Sequence, residues 1–185
     1  MLPADAADLR AKGGEGSSSQ AGEKTASSKD PAQAEREQAA VHGVAWGMSY
    51  EQALEQSKAN GKPILIDFTG VNCANCRLME QEVLPRPDVI EQLGQFVTIQ
   101  LYTDFVPIDS ITADQREALA EKNLEREVAL TSEATNPFYV ALNSDGKVIG
   151  TLGGKRSPAA FIEFLKGALA RHGGTSTTAP ATAAR

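Results

Sequence analysis

The run Ile64-Leu65-Ile66-Asp67-Phe68 constrains this chain more than any other stretch of it. Its residues are apolar but for one carboxylate, and it reads as a central strand covered on both faces. Such a strand needs helices above and below the sheet, and the flanking punctuation predicts them. Ser49 followed by Gln52 is a capping-box signature opening a helix with Ala53 and Leu54; Asn60-Gly61 closes it, and Pro63 bars its continuation. After the strand, the short loop Thr69-Gly70-Val71-Asn72 leads to Cys73 near the start of a second helix. That helix carries Cys76, Leu78, Met79 and Val83 and stops before Pro85 and Pro87.

Further along, Val89 to Leu93 reads as another helical turn or two. Phe96 to Tyr102 alternates and is rich in β-formers, which predicts a strand. Thr112 with Gln115 is a second capping box, and the spacing predicts a helix to about Glu127, its charged residues forming a solvated face. Phe138 to Leu142 is a strand, Asn143 to Gly146 a turn, and Lys147 to Leu152 the hairpin partner. Ser157 as N-cap and Pro158 at the first helical position begin the last helix. Phe161, Phe164, Leu165, Ala168 and Leu169 supply its buried stripe, with Gly173 beyond its end. A strand, crossover helix and strand imply a parallel pair, and the late hairpin adds antiparallel strands. The expected class is α/β, a mixed central sheet flanked by helices on both faces.

Composition divides the 185 residues unevenly. From Met1 to Ala40 there is no Val, Ile, Phe, Tyr, Trp or Cys, so that segment cannot bury enough apolar surface to offset its ordering entropy. It predicts a disordered leader or linker over 1–41, a folded domain over 42–172, and a second disordered tail over 173–185. The net charge of −6, with no Lys/Arg-rich run, argues against nucleic acid as a partner. No stretch is long enough to span a bilayer, so membrane contact by this domain itself is not expected. The N-terminus lacks the basic region and apolar core of a secretory signal. A cytosolic protein and a piece of a longer, tethered protein are both consistent with that.

The two cysteines stand together as Cys73-Ala74-Asn75-Cys76. A bridge closing so small a loop restricts the unfolded chain little, so chemistry at the sulfurs explains the pair better than a structural staple. At a strand-to-helix junction, free backbone N–H groups and the positive end of the helix dipole stabilise a thiolate. Cys73 would be the exposed attacking sulfur, and Cys76, one turn on, the resolving one. The same spacing serves metal sites, but zinc wants three or four protein ligands; only two thiols are present, and His42 and His172 lie at the domain edges. No metal site is expected. Trp46, Tyr50 and Phe138 read as core or rim packing.

The strand Ile64 to Phe68 followed by Cys73-Ala74-Asn75-Cys76 resembles the first central strand and active-site motif of the thioredoxin superfamily. The phrase from Phe68 through Cys73, Cys76 and Arg77 to Glu80, with Leu101 to Asp104 and Asn136 to Tyr139, is similar to the C-terminal, periplasm-facing domain of thiol:disulfide interchange protein DsbD. The resemblance covers about Trp46 to Leu169. It implies a thioredoxin fold and a thiol–disulfide oxidoreductase of the reductase type. Asp67 would be a buried acid that relays the proton of Cys76. Asn136-Pro137 would be the cis-proline loop that docks substrate backbone, with Asn72 also at the substrate site. It further implies that no bound cofactor is needed beyond the redox-active Cys73–Cys76 disulfide. The implied partners are protein thiol or disulfide clients and an upstream thiol donor, with an extracytoplasmic, periplasm-like location. From the residues alone, Asp67 could equally be a strand-end carboxylate reaching solvent, and Pro137 a trans proline opening a strand. Asn72 and Asn75 need no role beyond the loop and first helical turn. The alternative function is a non-catalytic thioredoxin-like module that binds a client protein or a metal ion. Asn72 replaces thioredoxin's tryptophan, Ala74-Asn75 replaces Gly-Pro, and the segment from Asp104 to Thr112 is longer than thioredoxin's connection.

Overall fold

The central strand predicted at Ile64 is β3, Ile64–Thr69, and every one of its six residues is buried. The computed structural model describes residues 39–41 and 43–175. Two short strands, β1 (Ala39–Val41) and β2 (Val44–Trp46), pair antiparallel and precede helix α1, Tyr50–Asn60. After β3 come α2 (Ala74–Glu82), α3 (Pro87–Leu93), β4 (Val97–Tyr102) and α4 (Ala113–Thr131). The chain continues through β5 (Phe138–Leu142), β6 (Val148–Gly153) and α5 (Pro158–Thr175). The main sheet has the order β4-β3-β5-β6, with β3 parallel to β4 and antiparallel to β5. This is the mixed, helix-flanked α/β sheet that the sequence predicts.

Strand alternation sorts the core into two layers. Leu65 of β3 and Tyr139 of β5 face a cluster built with Met79, Val83, Val89, Phe161 and Leu165, from α2, α3 and α5. Ile64, Ile66 and Phe68 face the other way, onto Ala53 and Leu54 of α1 and Leu130 of α4. Phe161 is fully buried and meets the Tyr139 ring edge-on at 4.7 Å between centroids. Phe161→Ala is expected to cost about 3–5 kcal/mol, read as a lowered urea midpoint at unchanged slope. A loss below about 1 kcal/mol would show that this layer is not packed as described.

Several local signals act as predicted. Ser49 Oγ accepts from Gln52 N–H at 3.3 Å, and Gly61 takes the left-handed cap at φ 71°. Thr112 and Gln115 form a complete capping box. Other boundaries moved. Helix α4 runs past Glu127 to Thr131, because Ser132 accepts the left-handed cap position and its N–H bonds the Val128 carbonyl at 2.8 Å. Glu127 is fully buried rather than part of a solvated face, since the helix turns that residue toward the loop before β5. β4 is buried at all six positions rather than alternating. Thr98 Oγ1 donates to the Ala45 carbonyl at 2.7 Å, and Gly47 bridges to the strand's open edge. Helix α5 continues through Gly173 and Gly174 to Thr175, its end held where His172 Nε2 lies 2.9 Å from the Gly61 carbonyl.

The leader expected over 1–41 lies outside the described residues up to position 38, and its last three residues are strand β1. Of the expected tail, 176–185 lie outside the described residues. His42 also lies outside them. The long connection after Asp104 has its own small core of Val106, Ile108 and Ile111 against Tyr102 and Leu119. Among the described residues, no helix is long and apolar enough to cross a membrane.

Candidate active site

The C-terminal end of β3 is where the cysteine pair enters. Thr69 ends the strand, and Cys73 caps α2 with φ −82° and ψ 104°, its Sγ accepting from the Cys76 N–H at 3.2 Å. Cys73 N–H closes the preceding turn on the Gly70 carbonyl at 3.2 Å. A Cβ on Gly70 would lie 2.9 Å from Oδ2 of Asp104, so any larger residue here would have to displace that carboxylate. The two cysteines form a disulfide with Cα atoms 5.2 Å apart. Cys73 is half-buried, whereas Cys76 is 2 % exposed. The first turn of α2 holds no acidic residue, so nothing on that turn opposes the positive end of its dipole at Cys73.

Asp67 is 2 % exposed and does not reach solvent. Leu65, two residues earlier on the same strand face, packs against Met79 and Val83, so the Asp67 carboxyl points beneath α2. Gln100 Nε2 donates to its Oδ2 at 3.1 Å, and the buried Oδ1 has no protein partner. Burial pushes this carboxyl up to about 7. The Gln100 hydrogen bond works against that rise, the Glu80 carboxylate adds to it, and Arg77 opposes it. Arg77 and Glu80, on α2, form an ion pair at 2.8 Å with the Glu80 side chain 13 % exposed. The Arg77 guanidinium also donates to the Gly70 carbonyl at 3.2 Å.

The second wall comes from β5. Antiparallel pairing of Phe68 with Phe138 carries Pro137 to the level of Thr69, at the end of the sheet where the cysteine loop begins. The Asn136–Pro137 bond is cis, and the Pro137 carbonyl accepts from Gly154 N–H at 2.8 Å. Asn136 Nδ2 donates to Thr103 Oγ1 at 2.5 Å, and Glu127 Oε1 accepts from Thr135 N–H at 3.0 Å. Asn72 is exposed, and its N–H is taken by Asp104.

All six residues singled out from sequence therefore sit at, or beneath, one end of β3. The sequence reading named Arg77, Glu80 and Asp104 only within the resembling phrases, without a role, and missed Gln100 and Glu127 as members of the surroundings. Gln100 is polar within a strand of β-formers, which is a visible signal, yet its partner is legible only once β3 and β4 are in register. Among the described residues, no three His, Cys, Asp or Glu side chains cluster in a way that would hold a metal ion. His172 lies against Gly61, at the opposite end of β3 from Cys73.

Known proteins resemble this chain in sequence and in fold. Residues 50–169 match the family model described as a thioredoxin-like domain. A solved structure named DsbH oxidoreductase is 29% identical, covering 68% of this chain and 83% of its own, with a TM-score of 0.50. A thioredoxin from Thermus thermophilus is 22% identical over 71% of this chain and 95% of its own, with a TM-score of 0.51. The oxidised C-terminal domain of Neisseria meningitidis DsbD is 19% identical over 63% of this chain and 89% of its own, with a TM-score of 0.47. No curated protein matches the chain. With a family model matching well over half of the chain and the fold in agreement, the chain belongs to the thioredoxin-like family.

Proposed function

We propose that this chain is a thiol–disulfide oxidoreductase that reduces protein disulfides through Cys73 and Cys76. One observation carries the reading: a disulfide at a helix N-terminus with no acidic residue in its first turn, above a buried carboxyl. The printed name of the DsbH structure supports the same class of chemistry.

In the dithiol form, the Cys73 thiolate attacks one sulfur of a client disulfide. A bond joins Cys73 to the client, the client S–S bond breaks, and the departing client thiolate takes a proton from water. Cys76 then passes its proton to the Asp67 carboxylate and attacks Sγ of Cys73. The Cys73–Cys76 bond forms, the mixed disulfide breaks, and the second client thiolate leaves. Two electrons have moved to the client, and an upstream protein thiol donor restores the dithiol by the reverse exchange. No bound cofactor enters this cycle. A carboxyl with its midpoint at about 7 accepts and returns that proton near neutral pH.

Pro137 and the backbone of Asn136 dock an extended client segment. Asn72 contributes through its exposed side chain, because its N–H is already held. The motif resemblance supports an extracytoplasmic site of action with protein thiol partners; fractionation that finds the protein in the cytosol would overturn that part.

The direction of electron flow is tested by the equilibrium potential of the pair, titrated against glutathione with trapping of free thiols. The expected value lies near that of thioredoxin, about −270 mV. A value of about −120 to −180 mV would reassign the chain as an oxidase or isomerase. If no intramolecular disulfide forms at any poise, the oxidoreductase reading fails.

A further inference from the structure

The exit of β4 holds both loops that flank the disulfide. Thr103 N–H donates to the Thr69 carbonyl at 2.9 Å, and its Oγ1 receives the Asn136 amide. One residue later, the Asp104 carboxylate accepts from Val71 N–H at 2.9 Å through Oδ1 and from Asn72 N–H at 3.0 Å through Oδ2. Oδ1 also accepts from Phe105 N–H at 2.6 Å. Although partial burial works to raise it, the N–H bonds from Asn72, Val71 and Phe105 hold the Asp104 carboxyl below its usual range, so it is ionised at neutral pH. Gly70 leaves the room this contact needs.

We propose that Asp104 is a positioning residue that governs how readily Cys73 ionises. The carboxylate is bonded to the amide of the residue directly before Cys73, and it acts there in two ways with the same sign. Its charge opposes a second negative charge on the neighbouring sulfur. It also occupies the Val71 and Asn72 N–H groups, donors that could otherwise turn toward a thiolate at the start of the helix. Asp104 thereby trades some thiolate stability for a fixed loop, and it tempers the dipole of α2.

Other charged groups lie on α2, on β3 and on α4 with the loop before it. Arg77 and Glu80 on α2 are paired with each other, Asp67 lies beneath on β3, and Arg116 of α4 lies over the Phe105 ring and pairs with Asp109. None of these bonds the Val71 or Asn72 amide in the way Asp104 does. The inference rests on Cys73 being the attacking thiol.

The test is the rate of Cys73 alkylation by iodoacetamide against pH, in the reduced full chain and in Asp104→Asn. The variant is expected to lower the alkylation midpoint by about half a pH unit or more. Asp104→Glu, which keeps the charge and both acceptor oxygens, should return the midpoint toward wild type. A midpoint unchanged in Asp104→Asn, with only a lower melting temperature, would make Asp104 a purely structural clamp and overturn the proposal. If Asp104→Asn does not fold, the wild-type chain still decides. Coupling is reciprocal, so the 13C carboxyl resonance of Asp104 must show a second inflection where Cys73 titrates. A flat resonance through that range overturns the proposal. Failure of the oxidoreductase reading is seen separately, in the glutathione titration of the wild-type chain.

Discussion

Cys73→Ser is expected to lower reduction of a protein disulfide by about 10³-fold or more, while Cys76→Ser leaves the first attack intact. The asymmetry follows from placement. Cys73 is half-buried at the helix N-terminus, where N–H groups and the dipole favour a thiolate. Cys76 is 2 % exposed and can be reached by the Cys73 sulfur but not by a bulky client. Cys76→Ser therefore accumulates a covalent adduct between Cys73 and the client, visible as a shifted band on a non-reducing gel and lost on adding reductant. The double variant should form no adduct. If Cys73→Ser kept more than about a tenth of wild-type activity, the roles of the two sulfurs would be wrong and a non-catalytic binding module would return as the better account.

Asp67→Asn is expected to separate activity from stability. Without a proton acceptor beneath α2, resolution of the mixed disulfide at pH 7 slows by about 10²-fold. Stability moves the other way. The Asp67 carboxyl is pushed from 3.8 up to about 7 in the folded chain. Between those values the folded state binds a proton that the unfolded state has released, so stability from this group is complete at low pH and is lost as pH rises through about 7. At pH 8 a neutral asparagine should make the oxidised protein more stable by about 2–4 kcal/mol, with little difference at pH 4. Glu127 is also pushed up to about 7 by burial, from 4.5, so a residual slope of the same sign persists in the variant. Urea denaturation at both pH values checks this. Parallel losses in wild type and variant would show that Asp67 is not a buried, charge-averse group.

Much of this site was legible because its signals are local. The spacing of Cys73 and Cys76 puts the sulfurs within one helical turn, whatever the rest of the chain does. The apolar run around Asp67 placed an acid in a covered strand, but the residues alone left open whether that acid reached solvent; the structure buries it. Ser49, Thr112 and Ser157 opened their helices where their cap chemistry put them, since a side-chain oxygen needs only the amides two or three residues on. Errors gathered where a local rule had no decisive residue. Helix α4 ended at Ser132, a residue that seldom marks a left-handed cap, and Glu127 turned inward because Thr135 offered it an amide.

The contacts that surround the cysteines depend instead on one number, the register between β3 and β4. Ile64 pairs with Val97, an offset of 33, and the same offset sets Asp67 beside Gln100 and Val71 beside Asp104. A slip of one residue would turn Gln100 to the other face of the sheet and bring Thr103 or Phe105 to the cysteine loop. The sequence by itself determined the chemistry: two sulfurs one turn apart, an acid in the strand before them, and helices to cover that strand. Only the tertiary structure decided what holds them: Gln100 on Asp67, Asp104 on the loop amides, and Thr103 on Asn136. Those bonds join residues distant in the chain, and a side chain's partner across a sheet is fixed by the register of the strands, which no local propensity encodes.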